Sequence, residues 1–117
     1  MSQPTNCAVA SPEAGPCVHL VDDEQSVRDA LVFLLQSHGL DVRAYASGPE
    51  FLAAFAAVPV RGCLVLDVRM EPMSGLQVQD ELLARQATLP ILFLSGHGDI
   101  PMAVTALHKG AFDFLEK

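Results

Sequence analysis

The sequence of 117 residues lacks tryptophan, has only 6% aromatic residues, and carries 7 basic against 14 acidic side chains, a net charge of −7. Nucleic-acid-binding surfaces concentrate Lys and Arg on one face, so this balance argues against direct DNA binding. The sequence also lacks a basic, apolar leader and any apolar run near the ~18 residues of a bilayer span. We therefore expect one soluble domain without membrane contact.

Cysteine is also scarce. Cys7, Cys17 and Cys63 are an odd number, and none lies in a CxxC pair or at metal-ligand spacing from a histidine. This argues against a disulfide framework and favours a reducing, cytoplasmic setting.

The remaining chain alternates between short apolar runs and amphipathic segments. Residues 1–16 combine proline with small polar residues and show no periodicity, which predicts a flexible N-terminal tail. The predicted strands cover residues 17–21, 40–46, 61–68, 89–95 and 111–117, and the predicted helices cover residues 24–38, 47–58, 74–85 and 101–110. This alternation requires crossover connections. It predicts a doubly wound α/β domain with a parallel sheet over residues 17–117.

Two elements carry specific packing patterns. The first predicted helix has an apolar stripe at helical spacing, formed by Val27, Leu31, Leu34 and Leu35. The second predicted strand alternates like a one-sided strand, with Val42, Ala44 and Ala46 on its apolar side. Within the first strand, we expect His19 to be a packed or hydrogen-bonded ring and not a metal ligand.

Polar residues collect where the predicted strands end, which in an open parallel sheet is the edge that binds ligands. The ends carry three carboxylates, a hydroxyl and an ammonium group, from Asp22, Asp23, Asp67, Ser95 and Lys117. Neighbouring carboxylates repel one another unless a cation joins them, and Mg²⁺ suits such oxygen ligands. A carboxylate nucleophile beside a hydroxyl and a lysine would suit phosphoryl transfer.

Each of these residues also fits an ordinary structural role. An acidic pair before a helix can simply cap it, and Asp67 can simply form a turn. Taken singly, Ser95 is an ordinary loop residue and Lys117 an ordinary solvated charge. Only their joint placement favours a site.

Five motifs occur in order along the chain: VDDEQSVRDAL, LVLDVRM, MSGL, LSGHGD and GAFDFLEK. Together they resemble the receiver domain of bacterial two-component response regulators, from about residue 18 to residue 117. The segment GHGDIPMAV after Ser95 is most similar to FixJ-type transcriptional regulators. The resemblance implies a flavodoxin-like (CheY-like) sheet in the order 2-1-3-4-5. The family's last helix and DNA-binding output domain would be missing, as in a truncated product.

The resemblance also implies an acceptor and its metal ligands. Asp67 would be the phosphoacceptor, phosphorylated by a histidine kinase. Asp22, Asp23, Asp67 and the backbone carbonyl of Arg69 would hold Mg²⁺. The family usually has proline four residues after the acceptor, where this sequence has Glu71.

A second set of implied roles concerns the response to phosphorylation. Lys117 would pair with the phosphoryl oxygens, Ser95 would be the switch hydroxyl, and Phe114 would be the switch aromatic. The output would be a population shift of the face built from the fourth helix and fifth strand, which could also form a homodimer. DNA would be bound only through the missing C-terminal domain.

Three functions stay open at this point. A receiver is not an enzyme beyond slow self-dephosphorylation. A pseudo-receiver would bind a partner without being phosphorylated. A Mg²⁺-dependent phosphatase of the haloacid-dehalogenase type needs a second aspartate two positions after its nucleophile, where this sequence has Arg69. We expect the first of the three.

Overall fold

A computed structural model describes residues 17–57, 62–96 and 100–116, so the predicted tail and Lys117 lie outside the described residues. Five strands and four helices alternate in this part of the chain. They are β1 (Cys17–Val21), α1 (Gln25–Ser37), β2 (Asp41–Tyr45), α2 (Gly48–Ala57), β3 (Gly62–Asp67), α3 (Gly75–Ala84), β4 (Ile91–Ser95), α4 (Ile100–His108) and β5 (Asp113–Glu116). Each boundary lies within two residues of its predicted position.

The strands form one parallel sheet in the order β2-β1-β3-β4-β5, which confirms the predicted fold class. The register pairs Val21 with Leu66 in β1 and β3, and Asp67 with Leu94 in β3 and β4. The carboxyl ends of the central strands are therefore level. Residues that follow β1 emerge beside the end of β3.

Helices cover both faces of the sheet. On one face, α2, α3 and α4 pack over a large cluster that includes Phe51, Leu66 and Phe93. On the other face, a smaller cluster of strand residues contacts α1 through Leu31, Val32 and Leu35. No residue of α1 is fully buried.

The predicted apolar stripe of α1 was wrong at Leu34, whose side chain is 50% exposed. The helix contacts the sheet through Leu31, Val32 and Leu35. At 3.6 residues per turn, Leu34 points well to one side of that contact surface, while Val32 lies within it. The stripe is thus rotated relative to the prediction.

The predicted pattern of β2 was wrong at Ala44 and Ala46, which are exposed, although Val42 is buried as expected. The second buried residue is Tyr45, on the opposite face of this edge strand. Tyr45 packs edge-on against Phe51 of α2, with ring centroids 5.2 Å apart. Helix α2 therefore covers the face of β2 that the alternating pattern predicted to be exposed to solvent.

His19 is fully buried in β1, and its Nδ1 lies 3.3 Å from the hydroxyl of Tyr45. It is therefore a packed, hydrogen-bonded ring. Burial raises the pKa of Tyr45 above its ordinary value of 10.0; Arg43 lowers and Glu50 raises this pKa by smaller amounts. The hydroxyl keeps its proton at neutral pH and can donate it to the ring.

Cys63, in β3, is a free, half-buried thiol, and burial raises its pKa. As for membrane contact, none of the described helices combines the length and apolar character that a bilayer crossing needs.

Candidate functional site

Three carboxylates meet at the carboxyl edge of the sheet. Asp22 and Asp23 directly follow β1, and Asp67 is the last residue of β3. One oxygen from each of the three lies within 4.8 Å of the others. Asp22 and Asp67 are buried, whereas Asp23 is exposed. The structure therefore brings together the three acidic residues that the sequence analysis singled out.

Hydrogen bonds fix Asp22 through both its backbone and its side chain. Its N–H donates to the carbonyl oxygen of Tyr45 over 3.3 Å, which anchors it to the end of β2. Its Oδ1 accepts the backbone N–H of Glu24 at 2.9 Å. Its backbone oxygen accepts from Arg28 Nη1 at 2.6 Å. The turn into α1 is thereby held in one conformation.

Asp67 is held by the close approach of α3 to β3. Val68 N–H donates to the carbonyl oxygen of Leu94 at 3.0 Å, and Gly75 N–H donates to that of Val68 at 2.8 Å. A Cβ atom on Gly75 would lie only 2.2 Å from the backbone oxygen of Asp67. Only glycine lets the helix begin this near to the acidic group.

A capping box starts α3 beside this group. Ser74 Oγ accepts the backbone N–H of Gln77 at 3.2 Å, and Gln77 Oε1 accepts that of Ser74 at 2.9 Å. These bonds satisfy two N–H groups at the helix start. The motif S-x-x-Q marks this start in the sequence.

An open cleft of about 460 Å³ adjoins the carboxylates. Three parts of the chain form its walls: the turn between β1 and α1, the loop that follows β3, and helix α4. The lining residues are Asp23, Val68, Arg69, Met70, Glu71, Ser74 and Met102. The loop contains a cis peptide bond between Glu71 and Pro72. The cleft gives solvent and small molecules access to the exposed carboxylate.

The donor set fits a magnesium ion. Oxygen ligands lie about 2.1 Å from Mg²⁺, so two direct ligand atoms are at most about 4.2 Å apart. The carboxylate oxygens here all lie within 4.8 Å of one another, which is close to that span. One carboxylate binding through a water molecule, or small side-chain rotations, would accommodate the ion. Magnesium commonly keeps several waters in protein sites.

Ser95 ends β4 next to the acidic group. Since Asp67 pairs with Leu94, Ser95 is one residue beyond this pair on the neighbouring strand. It is buried, and its hydroxyl donates to the carbonyl oxygen of Gly96 at 3.2 Å.

Phe114 lies farther along the sheet, on β5. It is half-buried, and its ring centroid is 6.3 Å from that of its register partner Phe93. Lys117 lies just beyond the described residues, one position after Glu116, the last residue of β5. Glu116 pairs in register with Ser95.

Arg28 also belongs to this site, although no sequence pattern singled it out. This residue lies in the first turn of α1, six positions after Asp22, and is half-buried against the turn. Its arginine side chain in an otherwise acidic segment was the available signal. The contact itself depends on the path of the turn, which the pattern does not reveal.

Comparison with known proteins places the chain among close relatives. The sequence model of the response regulator receiver domain matches residues 18–117. The chain is 53% identical over 102 residues to the C4-dicarboxylate transport transcriptional regulatory protein DctR of Rhodobacter capsulatus, covering 86% of this chain and 51% of DctR. It is 50% identical over 107 residues to the transcriptional regulatory protein FixJ of Azorhizobium caulinodans, covering 91% of this chain and 49% of FixJ.

A solved structure shows the same fold. The crystal structure of FixJ-N is similar with a TM-score of 0.82 and 43% identity, covering 88% of this chain and 82% of that chain. The present chain spans about half the length of the curated relatives that it matches.

Proposed function

Because this chain belongs to the response regulator receiver domain family, we propose that residues 17–117 form a phosphoacceptor domain of a two-component system. The observation that carries the proposal is the convergence of Asp22, Asp23 and Asp67 at the edge of the sheet. Receiver domains typically interact with histidine kinases and are generally not enzymes. We expect phosphorylation with at most slow self-dephosphorylation.

Asp67 is the proposed acceptor. One of its carboxylate oxygens attacks the phosphorus of a phosphohistidine; the O–P bond forms as the N–P bond breaks, and the imidazole leaves with the electron pair of that bond. Asp22, Asp23, Asp67 and the backbone carbonyl of Arg69 would hold Mg²⁺. When bound, the ion would offset the negative charge of the carboxylates and the phosphoryl oxygens.

Three residues have proposed roles after transfer. Lys117 pairs with a phosphoryl oxygen, and the Ser95 hydroxyl turns from Gly96 toward the same group. Phe114 then moves inward on β5. This sequence of movements shifts the population of conformers on the α4 and β5 face.

The same face is the proposed homodimer surface. Large apolar side chains are exposed there on α4 and just before β5: Ile100, Val104, Leu107 and Phe112. Contiguous exposed apolar area is typical of interaction surfaces. Self-association would remove this area from water.

We further propose a transcriptional output. The relatives DctR and FixJ are named transcriptional regulatory proteins, and DNA contact would belong to a C-terminal domain that is not part of this sequence. The net charge of −7 agrees with a domain that does not itself bind DNA. A cytoplasmic location is proposed from the family alone.

Incubation with acetyl phosphate and Mg²⁺, followed by intact mass spectrometry, tests the proposal. We expect one added phosphoryl group on the wild type and none on Asp67→Asn. Asp41→Asn is the matched control: Asp41 begins β2, at the edge of the sheet away from the acidic group, so this variant should also gain one phosphoryl group. An unmodified but folded wild type would support a pseudo-receiver. Catalytic release of phosphate from many small esters would support a phosphatase.

A further inference from the structure

Arg28 holds the peptide group that joins the two acidic residues after β1. The backbone oxygen of Asp22 belongs to the peptide bond between Asp22 and Asp23, and it accepts from Arg28 Nη1 at 2.6 Å. Because a peptide group is planar, its orientation constrains the directions in which both neighbouring side chains leave the backbone. One guanidinium contact therefore acts on two carboxylates.

Two other hydrogen bonds of the turn act on neighbouring atoms. Asp22 N–H bonds to Tyr45, and Glu24 N–H bonds to Asp22 Oδ1. These contacts fix the preceding peptide and one side-chain oxygen. The bond from Arg28 fixes the peptide between the two aspartates, from a helix whose own backbone is anchored by Arg28 N–H to the oxygen of Glu24 at 3.0 Å.

We infer that Arg28 is a positioning residue for magnesium binding, which aims Asp22 and Asp23 toward Asp67 through its hydrogen bond to the Asp22 backbone oxygen. The inference rests on the proposed function. Arginine suits this role because its planar, permanently charged fork forms short, directional hydrogen bonds. Lysine would keep the charge but would not reproduce the direction of the bond.

The test measures Mg²⁺ affinity by isothermal titration calorimetry. We expect Arg28→Gln to weaken binding about tenfold, the scale of one hydrogen bond to a charged group. Arg28→Lys should weaken it about threefold, because the ammonium group can still donate to the Asp22 oxygen but without the direction set by the guanidinium group. Arg43→Gln is the matched control: Arg43 is exposed on β2, and its loss removes the same charge away from the acidic group. It should bind as the wild type does.

Each result distinguishes this inference from the proposed function. A folded wild type that does not bind Mg²⁺ contradicts the proposed function itself. If the wild type binds, an unchanged affinity in folded Arg28→Gln overturns the inference. An affinity of Arg28→Lys equal to the wild type also overturns it, because the direction of the hydrogen bond would then not matter. Should Arg28→Gln fail to fold, the Arg28→Lys result decides.

Discussion

Replacement of Gly75 by alanine tests the close packing of α3 against the proposed acceptor. The new Cβ would lie 2.2 Å from the backbone oxygen of Asp67 and 3.1 Å from Phe93 Cε1. Separations below 3.0 Å essentially never occur, so the helix start and the strand end must separate by about 0.8 Å. The Asp67 oxygen belongs to the backbone and cannot rotate away, and the Phe93 side chain is fully buried.

The expected loss of stability follows from that displacement. Overpacking typically costs about 1–3 kcal/mol. The same movement stretches the 2.8 Å bond from Gly75 N–H to Val68 beyond hydrogen-bonding range, which adds about 1 kcal/mol. The better helix propensity of alanine offsets up to about 1 kcal/mol. We expect Gly75→Ala to lower the free energy of unfolding by about 2 kcal/mol.

Urea unfolding at equilibrium measures this change. Gly39→Ala is the control: its φ of +81° is unfavourable for alanine but its surroundings are open, so it should cost only about 1 kcal/mol. Folded Gly75→Ala should also be phosphorylated at least about tenfold more slowly, because small displacements of reacting groups are costly. A stability within about 0.5 kcal/mol of the wild type would refute the packing argument.

Three other predictions concern the cap of α3, alkaline stability and the last residue. Ser74→Ala removes the capping box and should lower the free energy of unfolding, measured in urea, by about 1 kcal/mol. Ser37→Ala, at the exposed end of α1, is the control and should change it little. Burial raises the pKa of both Tyr45 and Cys63, so at alkaline pH the folded protein keeps protons that the unfolded chain releases. The free energy of unfolding should therefore fall as the pH rises above about 9.0, the ordinary pKa of the thiol. Urea unfolding at several pH values measures this fall, which should be less steep in Cys63→Val. Lys117→Ala should still bind Mg²⁺ in calorimetric titrations. Phosphorylation of this variant should no longer change the NMR chemical shifts of the backbone amides on the α4 and β5 face.

Distinct results would contradict these three predictions. Equal stability of Ser74→Ala and Ser37→Ala would contradict the role of the cap. A free energy of unfolding that is constant or rises above pH 9.0 would contradict the effect of burial on Tyr45 and Cys63. Complete loss of Mg²⁺ affinity in Lys117→Ala would contradict the role proposed for that residue.

Parallel-sheet geometry explains why the sequence predicted much of the fold and the acidic group. A buried run such as β1 ends where its polar residues begin, and parallel strands bring such ends to one edge. Asp22, Asp67 and Ser95 could therefore be placed together although they are far apart in the chain. The inference needed strand order and direction, and no side-chain detail.

Details that depend on helix rotation and close contact could not be predicted in this way. Leu34 fits the apolar period of α1, yet the helix turns Val32 toward the sheet instead. Tyr45 is buried because α2 happens to cover its face. The contact of Arg28 with Asp22 and the absence of space at Gly75 depend on distances of 2–3 Å, which apolar periodicity does not encode.

The site of phosphorylation is the most direct test of the account. Wild-type protein treated with acetyl phosphate would be digested and mapped by tandem mass spectrometry, with and without Mg²⁺. We predict a phosphoryl group on Asp67 alone, formed only when Mg²⁺ is present. A phosphoryl group on a different residue, or equal phosphorylation of Asp67 when EDTA removes the metal, would contradict the account.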